Sequence, residues 1–156
     1  GILKGAHLDI TRMDDTVWDP VIDVNLKGSY LVAKYVARHM KEQRSGVIVI
    51  TSSGAGVLGG SSSYAYGASK GGTHGLAMTL QSHLSKFGVR VNDVLPGTLD
   101  TPLKVASVEE SLRNTGDREA YERAMGQLFS PDGVGAVMAF LASDDASYVR
   151  GSITTI

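Results

Sequence analysis

Three segments that read as helices alternate with three that read as strands, and this order constrains the fold more than any other feature of the chain. A helical pattern over Val17–Gln43 precedes a strand over Gly46–Ser53. A second over Tyr64–Phe87 precedes a strand over Val89–Leu95. A third over Pro131–Ala142 precedes a last strand over Ser152–Ile156. Such alternation predicts an α/β protein: a parallel sheet of about three strands, flanking helices and right-handed crossovers. The run Val47-Ile48-Val49-Ile50 has the continuous apolar character of a buried strand. At 156 residues the chain fits one domain over 1–156.

Local signals set the boundaries. Asp19-Pro20 suits a first helical turn, and Gly88 suits a helix C-cap. Asn25 and Gly28 are poor helix formers and mark a kink or a special role inside the first helix. Val21, Val24, Leu31, Val32, Tyr35 and Val36 share most of one face of that helix. Gly54–Ser63 reads as a Gly/Ser loop, residues 1–13 as irregular, and residues 98–130 as a polar stretch of short helices and a mobile segment. Ser130 would cap the third helix, with Pro131 at its first position.

Composition excludes several function classes. Fifteen basic and sixteen acidic residues leave a net charge of −1, which argues against an electrostatic nucleic-acid binder. No apolar run approaches the roughly 20 residues that a membrane span needs, and no signal peptide is read. With no Cys, disulfides and thiolate metal sites are excluded, which suits a cytoplasmic protein. His7, His39, His74 and His83 share no metal-ligand spacing and read as surface or packing residues; no metal is expected.

Tyr66 and Lys70, at i and i+4, share one helix face. An ammonium beside a phenol favours the phenolate and would lower the Tyr66 pKa towards a range useful for proton exchange. Ser53 closes the first strand, where its hydroxyl could hydrogen-bond a carbonyl oxygen. These three side chains suit carbonyl/alcohol redox chemistry. Two other motifs compete. Gly54-Ala55-Gly56-Val57-Leu58-Gly59 spells a dinucleotide-phosphate loop, but Ser61-Ser62-Ser63 and Tyr64 intervene before the helix and no acid lies between Glu42 and Asp93. Its glycines instead suit close passage beside a ligand or a neighbouring helix. Gly67-Ala68-Ser69-Lys70-Gly71 spells a nucleophile elbow, but no strand precedes Ser69 and no acid separates it from His74 or His83.

Taken in order, Asn25 in Val24-Asn25-Leu26-Lys27-Gly28, Ser53 in Ile50-Thr51-Ser52-Ser53, Tyr66/Lys70, Arg90-Val91-Asn92, Pro96-Gly97 and Thr101 resemble the classical short-chain dehydrogenase/reductase family. Ala142 to Gly151 resembles the approach to its last strand. The resemblance implies a Rossmann-like fold and a reaction between a small alcohol or ketone and NAD or NADP. It implies catalytic roles for Asn25, Ser53, Tyr66 and Lys70, with Asn25 holding a water that links Lys70 to solvent. Tyr66, Lys70, Pro96, Gly97, Leu99 and Thr101 would border the nicotinamide. Pro102 to about Gln127 corresponds to the substrate lid. The family's N-terminal cofactor loop has no counterpart here, so the expected sheet is a truncated one. A homo-oligomer through helices 17–43 and 64–87 is expected, since the remnant would expose an edge and an apolar face. The alternative is a catalytically silent interaction module of the same fold.

Overall fold

In the computed structural model, which describes residues 1–155, the three strands form one parallel sheet in the order β1 (Gly46–Thr51), β2 (Val89–Leu95), β3 (Gly151–Thr154). The α/β architecture expected from the alternation is therefore the observed one. β2 is central and buried along its whole length. Successive side chains of a strand point to opposite faces, so Val89, Val91 and Asp93 face one layer of helices while Arg90, Asn92 and Val94 face the other. On the first face, Ile48, Ile50, Val89 and Val91 pack with Ala37, Ala77 and Leu84. On the second, Val94 packs with Val134, Leu141 and Ala146. The terminal Ile156 of the expected third strand lies outside the described residues.

The first helical segment is not uniform. It runs as α1 (Asp15–Ile22), one π-helical turn over Asp23–Lys27, then α2 (Gly28–Gln43). The poor helix formers Asn25 and Gly28 coincide with that turn and its exit, and Asn25 at its centre is buried. Beyond it the buried side of α2 is Ala33 and Ala37, with Val36 and Met40 packed against the same core. Of the apolar face expected from periodicity, Val21 is fully buried, whereas Val32 and Tyr35 are each 65% exposed. Small residues let α2 approach the core closely and leave the large ones outside.

The Gly54–Ser63 loop is corrected in part. Gly54–Val57 closes one helical turn, α3, capped by the Ser53 hydroxyl, which accepts from Ala55 N at 3.2 Å. The next helix, α4, spans Tyr64–Leu84. α3 presses on α4 through Gly56: a Cβ there would lie 2.5 Å from Gly71 N and 2.7 Å from the Lys70 carbonyl carbon. This is the close passage beside a neighbouring helix that the glycines suit. Gly56→Ala is therefore expected to cost about 1–3 kcal/mol by forcing the helices apart. Gly75→Ala, in the same long helix with nothing within 4 Å, should stabilise the protein by up to about 1 kcal/mol. Urea denaturation of the two variants checks the contrast.

The polar stretch holds α5 (Pro102–Thr115) and α6 (Arg118–Gly126), and α7 (Asp132–Ala142) comes next. α7 begins one residue later than expected; the Ser130 hydroxyl still accepts from Asp132 N at 3.2 Å. Its far end is held by buried Arg90, which donates to the carbonyls of Leu141, Ser143 and Ala146 at 2.7–3.0 Å. A cation at a helix C-terminus has the favourable sign for the helix dipole.

Candidate active site

A cleft of about 550 Å³ opens where β1 and β2 end, the position at which parallel α/β sheets take ligands. Thr51–Ser53 form one wall, and Pro96, Gly97, Leu99 and Thr101 form another. Tyr66 and Lys70, one turn apart on α4, reach in from a third. The wall after β2 is braced: Phe129 N donates to Thr98 O at 2.9 Å and Asp100 N to Phe129 O at 2.8 Å. Thr101 caps α5 by accepting from Lys104 N at 3.4 Å, so the wall after β2 leads directly into the first helix of the polar stretch.

Of the residues singled out in the sequence, seven line this cleft, and Asn25 stands behind it. The Asn25 side chain receives Ile2 N at 2.8 Å and donates to Ile2 O at 2.8 Å and Ser69 Oγ at 3.0 Å. It ties the first residues of the chain to α4, and a Cβ on Gly1 would lie 2.8 Å from Asn25 Oδ1 and 3.6 Å from Lys70 Nζ. Its side-chain polar atoms are thus bonded to protein. Ser69 is fully buried in mid-helix and donates to Tyr66 O at 2.8 Å; it sits on no strand-to-helix turn, and the nucleophile-elbow reading falls. The phosphate-loop reading falls as well, because Gly54–Val57 forms a single turn packed against α4.

Lys70 is 7% exposed, and its ammonium donates to Thr51 O at 2.7 Å. It stands 5.8 Å from the centre of the Tyr66 ring. The expected lowering of the Tyr66 pKa is reversed here. Burial pushes the phenol above its usual 10.0, against an opposing hydrogen bond with Ser53. Burial also depresses the Lys70 ammonium below the usual lysine value of 10.5. In an unfolded chain Lys70 would bind its proton more tightly, so its burial costs stability at neutral pH, and that cost fades as pH climbs towards 10.5. Lys70→Met should therefore raise the melting temperature at about pH 7 and show a smaller gain at about pH 9. Calorimetric melts of both proteins at the two pH values test this.

The sequence reading missed His74, Asp93 and Ser152 as a group. Asp93 is fully buried on the α4 side of β2, with His74 Nδ1 3.0 Å from Asp93 Oδ2 and the Ser152 hydroxyl donating to Asp93 Oδ1. An acid inside the otherwise apolar-rich strand Val89–Leu95 was the available signal.

Fold and site together define a Rossmann-like α/β protein with hydroxyl, phenol and ammonium groups converging at the strand ends. The family model described as Enoyl-(Acyl carrier protein) reductase matches residues 1–156, and the chain belongs to the short-chain dehydrogenase/reductase family of oxidoreductases. It is 40% identical over 157 residues to a 3-oxoacyl-(acyl-carrier-protein) reductase of Thermotoga maritima, covering 100% of this chain and 61% of that protein. It is 37% identical over 155 residues to tropinone reductase-like 1 of Erythroxylum coca, covering 97% and 56%. Among solved structures, levodione reductase superposes with a TM-score of 0.89 at 30% identity, over 99% of this chain and 62% of that one. NAD+-bound xylitol dehydrogenase gives 0.89 at 27%, over 99% and 64%. The chain thus spans roughly three fifths of the length of the relatives it matches.

Proposed function

We propose that this chain carries the proton-transfer half of an NAD(P)-dependent alcohol/carbonyl oxidoreductase site. The observation that carries the reading is the convergence of Ser53, Tyr66 and Lys70 on one cleft bordered by Pro96, Gly97, Leu99 and Thr101. The donor set fits the nicotinamide end of such a cofactor. Lys70 offers two ammonium protons beyond the one given to Thr51 O, and Thr101 and the backbone from Pro96 to Leu99 supply polar groups for a carboxamide. When bound, the cofactor would supply or accept the hydride.

The chain's own residues account for the rest. The Tyr66 phenol, kept neutral by burial, would pass its proton from Oη to the substrate oxygen in reduction and recover it in oxidation. The Ser53 hydroxyl would donate a hydrogen bond to the same oxygen and fix its position. Lys70 would hold the cofactor ribose and steady the charge that forms on Tyr66. Asn25 would keep the start of the chain against α4 beside Lys70; with its side chain bonded to protein, the water relay that the resemblance implies is not part of this reading. The substrate would be a small alcohol or ketone, and the cofactor NAD or NADP.

The test is fluorescence titration of NADH and NADPH, then ketone reduction. Saturable binding of either nucleotide tighter than about 1 mM, with turnover, is expected. Weaker binding of both would remove autonomous catalysis and favour the silent interaction module.

The exposed stripe Val24, Leu31, Val32 and Tyr35 supports self-association through the helical surfaces 17–43 and 64–87. Among the described residues, no helix is long and apolar enough to cross a membrane. Light scattering should give at least twice the 16.4 kDa chain mass; a stable monomer would contradict this part.

A further inference from the structure

A second cavity of about 260 Å³ adjoins the cleft. Ser62, Lys104 and Ser107 line both spaces, so a ligand reaching past Tyr66 meets them at the junction. One face of α5 runs into the cavity as Lys104, Ser107, Val108, Ser111 and Leu112, a spacing of three and four residues that keeps all five on one side of the helix. Ala120 and Ala124 of α6 give the opposite wall an apolar surface.

Lys104 stands at an electrostatically unfavourable place in the helix. It sits in the first turn of α5, fixed by the bond from its backbone N to Thr101. A cation in that turn has the wrong sign for the helix dipole. Among the described residues it forms no ion pair; the observed pairs involve other cations. The acid at the cavity, Asp117, lines only the inner space, and its carboxylate is held by Ala120 N at 2.9 Å as the cap of α6. His7 also lines the wall, in a left-handed backbone conformation at φ 62°, with its N–H bonded to Ser62 O at 2.7 Å. A non-glycine residue held there is uncommon.

We propose that this cavity is a subsite for an anionic group of the substrate, and that Lys104 selects ketones or alcohols carrying a carboxylate at the end remote from the reacting carbon. The proposal rests on the oxidoreductase reading for the identity of the reacting end. Lys104 would pair with the carboxylate, the Ser107 and Ser111 hydroxyls would donate to its oxygens, and the alanine wall of α6 would accept the methylene chain. The same lysine could instead serve an anion of the cofactor, its diphosphate, and the test separates the two sources.

The probes are levulinate and its longer keto-acid homologues, each paired with its primary amide. Binding is read by saturation-transfer NMR and calorimetry, and turnover is measured separately with NADH or NADPH. The best-fitting acid should bind about tenfold more tightly than its amide, the scale of one charge-assisted contact. Lys104→Met should remove that advantage and Lys104→Arg should keep it. Melting profiles establish that both variants fold. Equal binding of acids and amides by the unaltered protein overturns the proposal, as does an acid preference that survives in Lys104→Met. A Lys104→Met variant weakened only towards the nucleotide also overturns it and assigns the lysine to the cofactor. Lys104-dependent acid binding without any turnover would uphold the subsite and count against the hydride-transfer reading instead.

Discussion

Tyr66→Phe is expected to lower turnover by about 10²–10⁴-fold, the usual weight of a positioned general acid/base, with little change in cofactor affinity. Phe fills nearly the same volume, so the melting temperature should change little. The direction of the pKa shift adds a second expectation. Because burial holds the phenol above 10.0, the protonated form predominates at neutral pH. On the proposed mechanism, reduction draws on that proton and should be nearly independent of pH around neutrality. Oxidation, which needs the phenolate, should rise by about tenfold per pH unit on the alkaline side until the phenol titrates. Steady-state rates in both directions across pH decide this. A Tyr66→Phe variant with unaltered turnover would sink the assignment, and an oxidation rate that falls with pH would sink the protonation scheme.

His74→Leu should destabilise the protein by about 3 kcal/mol, because it strips the buried Asp93 carboxyl of its imidazole partner. Only the Ser152 hydroxyl would remain to satisfy that group. Asp93 is fully buried while His74 is partly exposed, so the penalty falls on the acid left behind rather than on the histidine removed. The matched double variant His74→Leu/Asp93→Val should recover most of the loss, since replacing both polar partners by apolar side chains removes the uncompensated group. A urea-denaturation double-mutant cycle measures the coupling. Additive effects of the two single changes would mean that the pair contributes nothing to the fold. Stability of this kind bears on the site: His74 is one turn beyond Lys70 on α4, and Asp93 is two residues before the end of β2. The pair therefore fastens the helix carrying Tyr66 and Lys70 to the strand that leads into Pro96 and Gly97.

Much of the site was legible because its parts are local. Tyr66 and Lys70 fall on one face by helix geometry alone, and Ser53 and Pro96-Gly97 are placed by the ends of apolar runs. Asn25 stood out as a poor helix former, and the helix widens into a π turn around it. The glycines of Gly54–Gly59 were separable from a phosphate loop by the Ser61-Ser62-Ser63 run that delays the next helix, although the one-turn helix they form was not visible. The sign of the Tyr66 shift was not legible. A pairwise view sees the nearby ammonium, while the actual balance depends on how much water the folded chain removes from the phenol and on Lys70 directing its bond to Thr51 O.

Periodicity likewise told which residues of α2 share a face but not which face packs inward. The answer, Ala33 and Ala37 against the core with Val32 and Tyr35 outside, depends on the rotation that the π turn imposes and on the close approach that alanine permits. His74, Asp93 and Ser152 lie up to 78 positions apart; no local pattern could join them, and only the parallel pairing of β2 with β3 and the packing of α4 across it does so. The sequence by itself determined the order of elements, the parallel sheet they build and the chemical groups at the strand ends, because each depends on short-range spacing. The tertiary structure alone decided burial, hence the direction of the Tyr66 shift, the partner of Asp93 and the cavity beside Lys104, because solvent exclusion belongs to the assembled layers and not to any one segment.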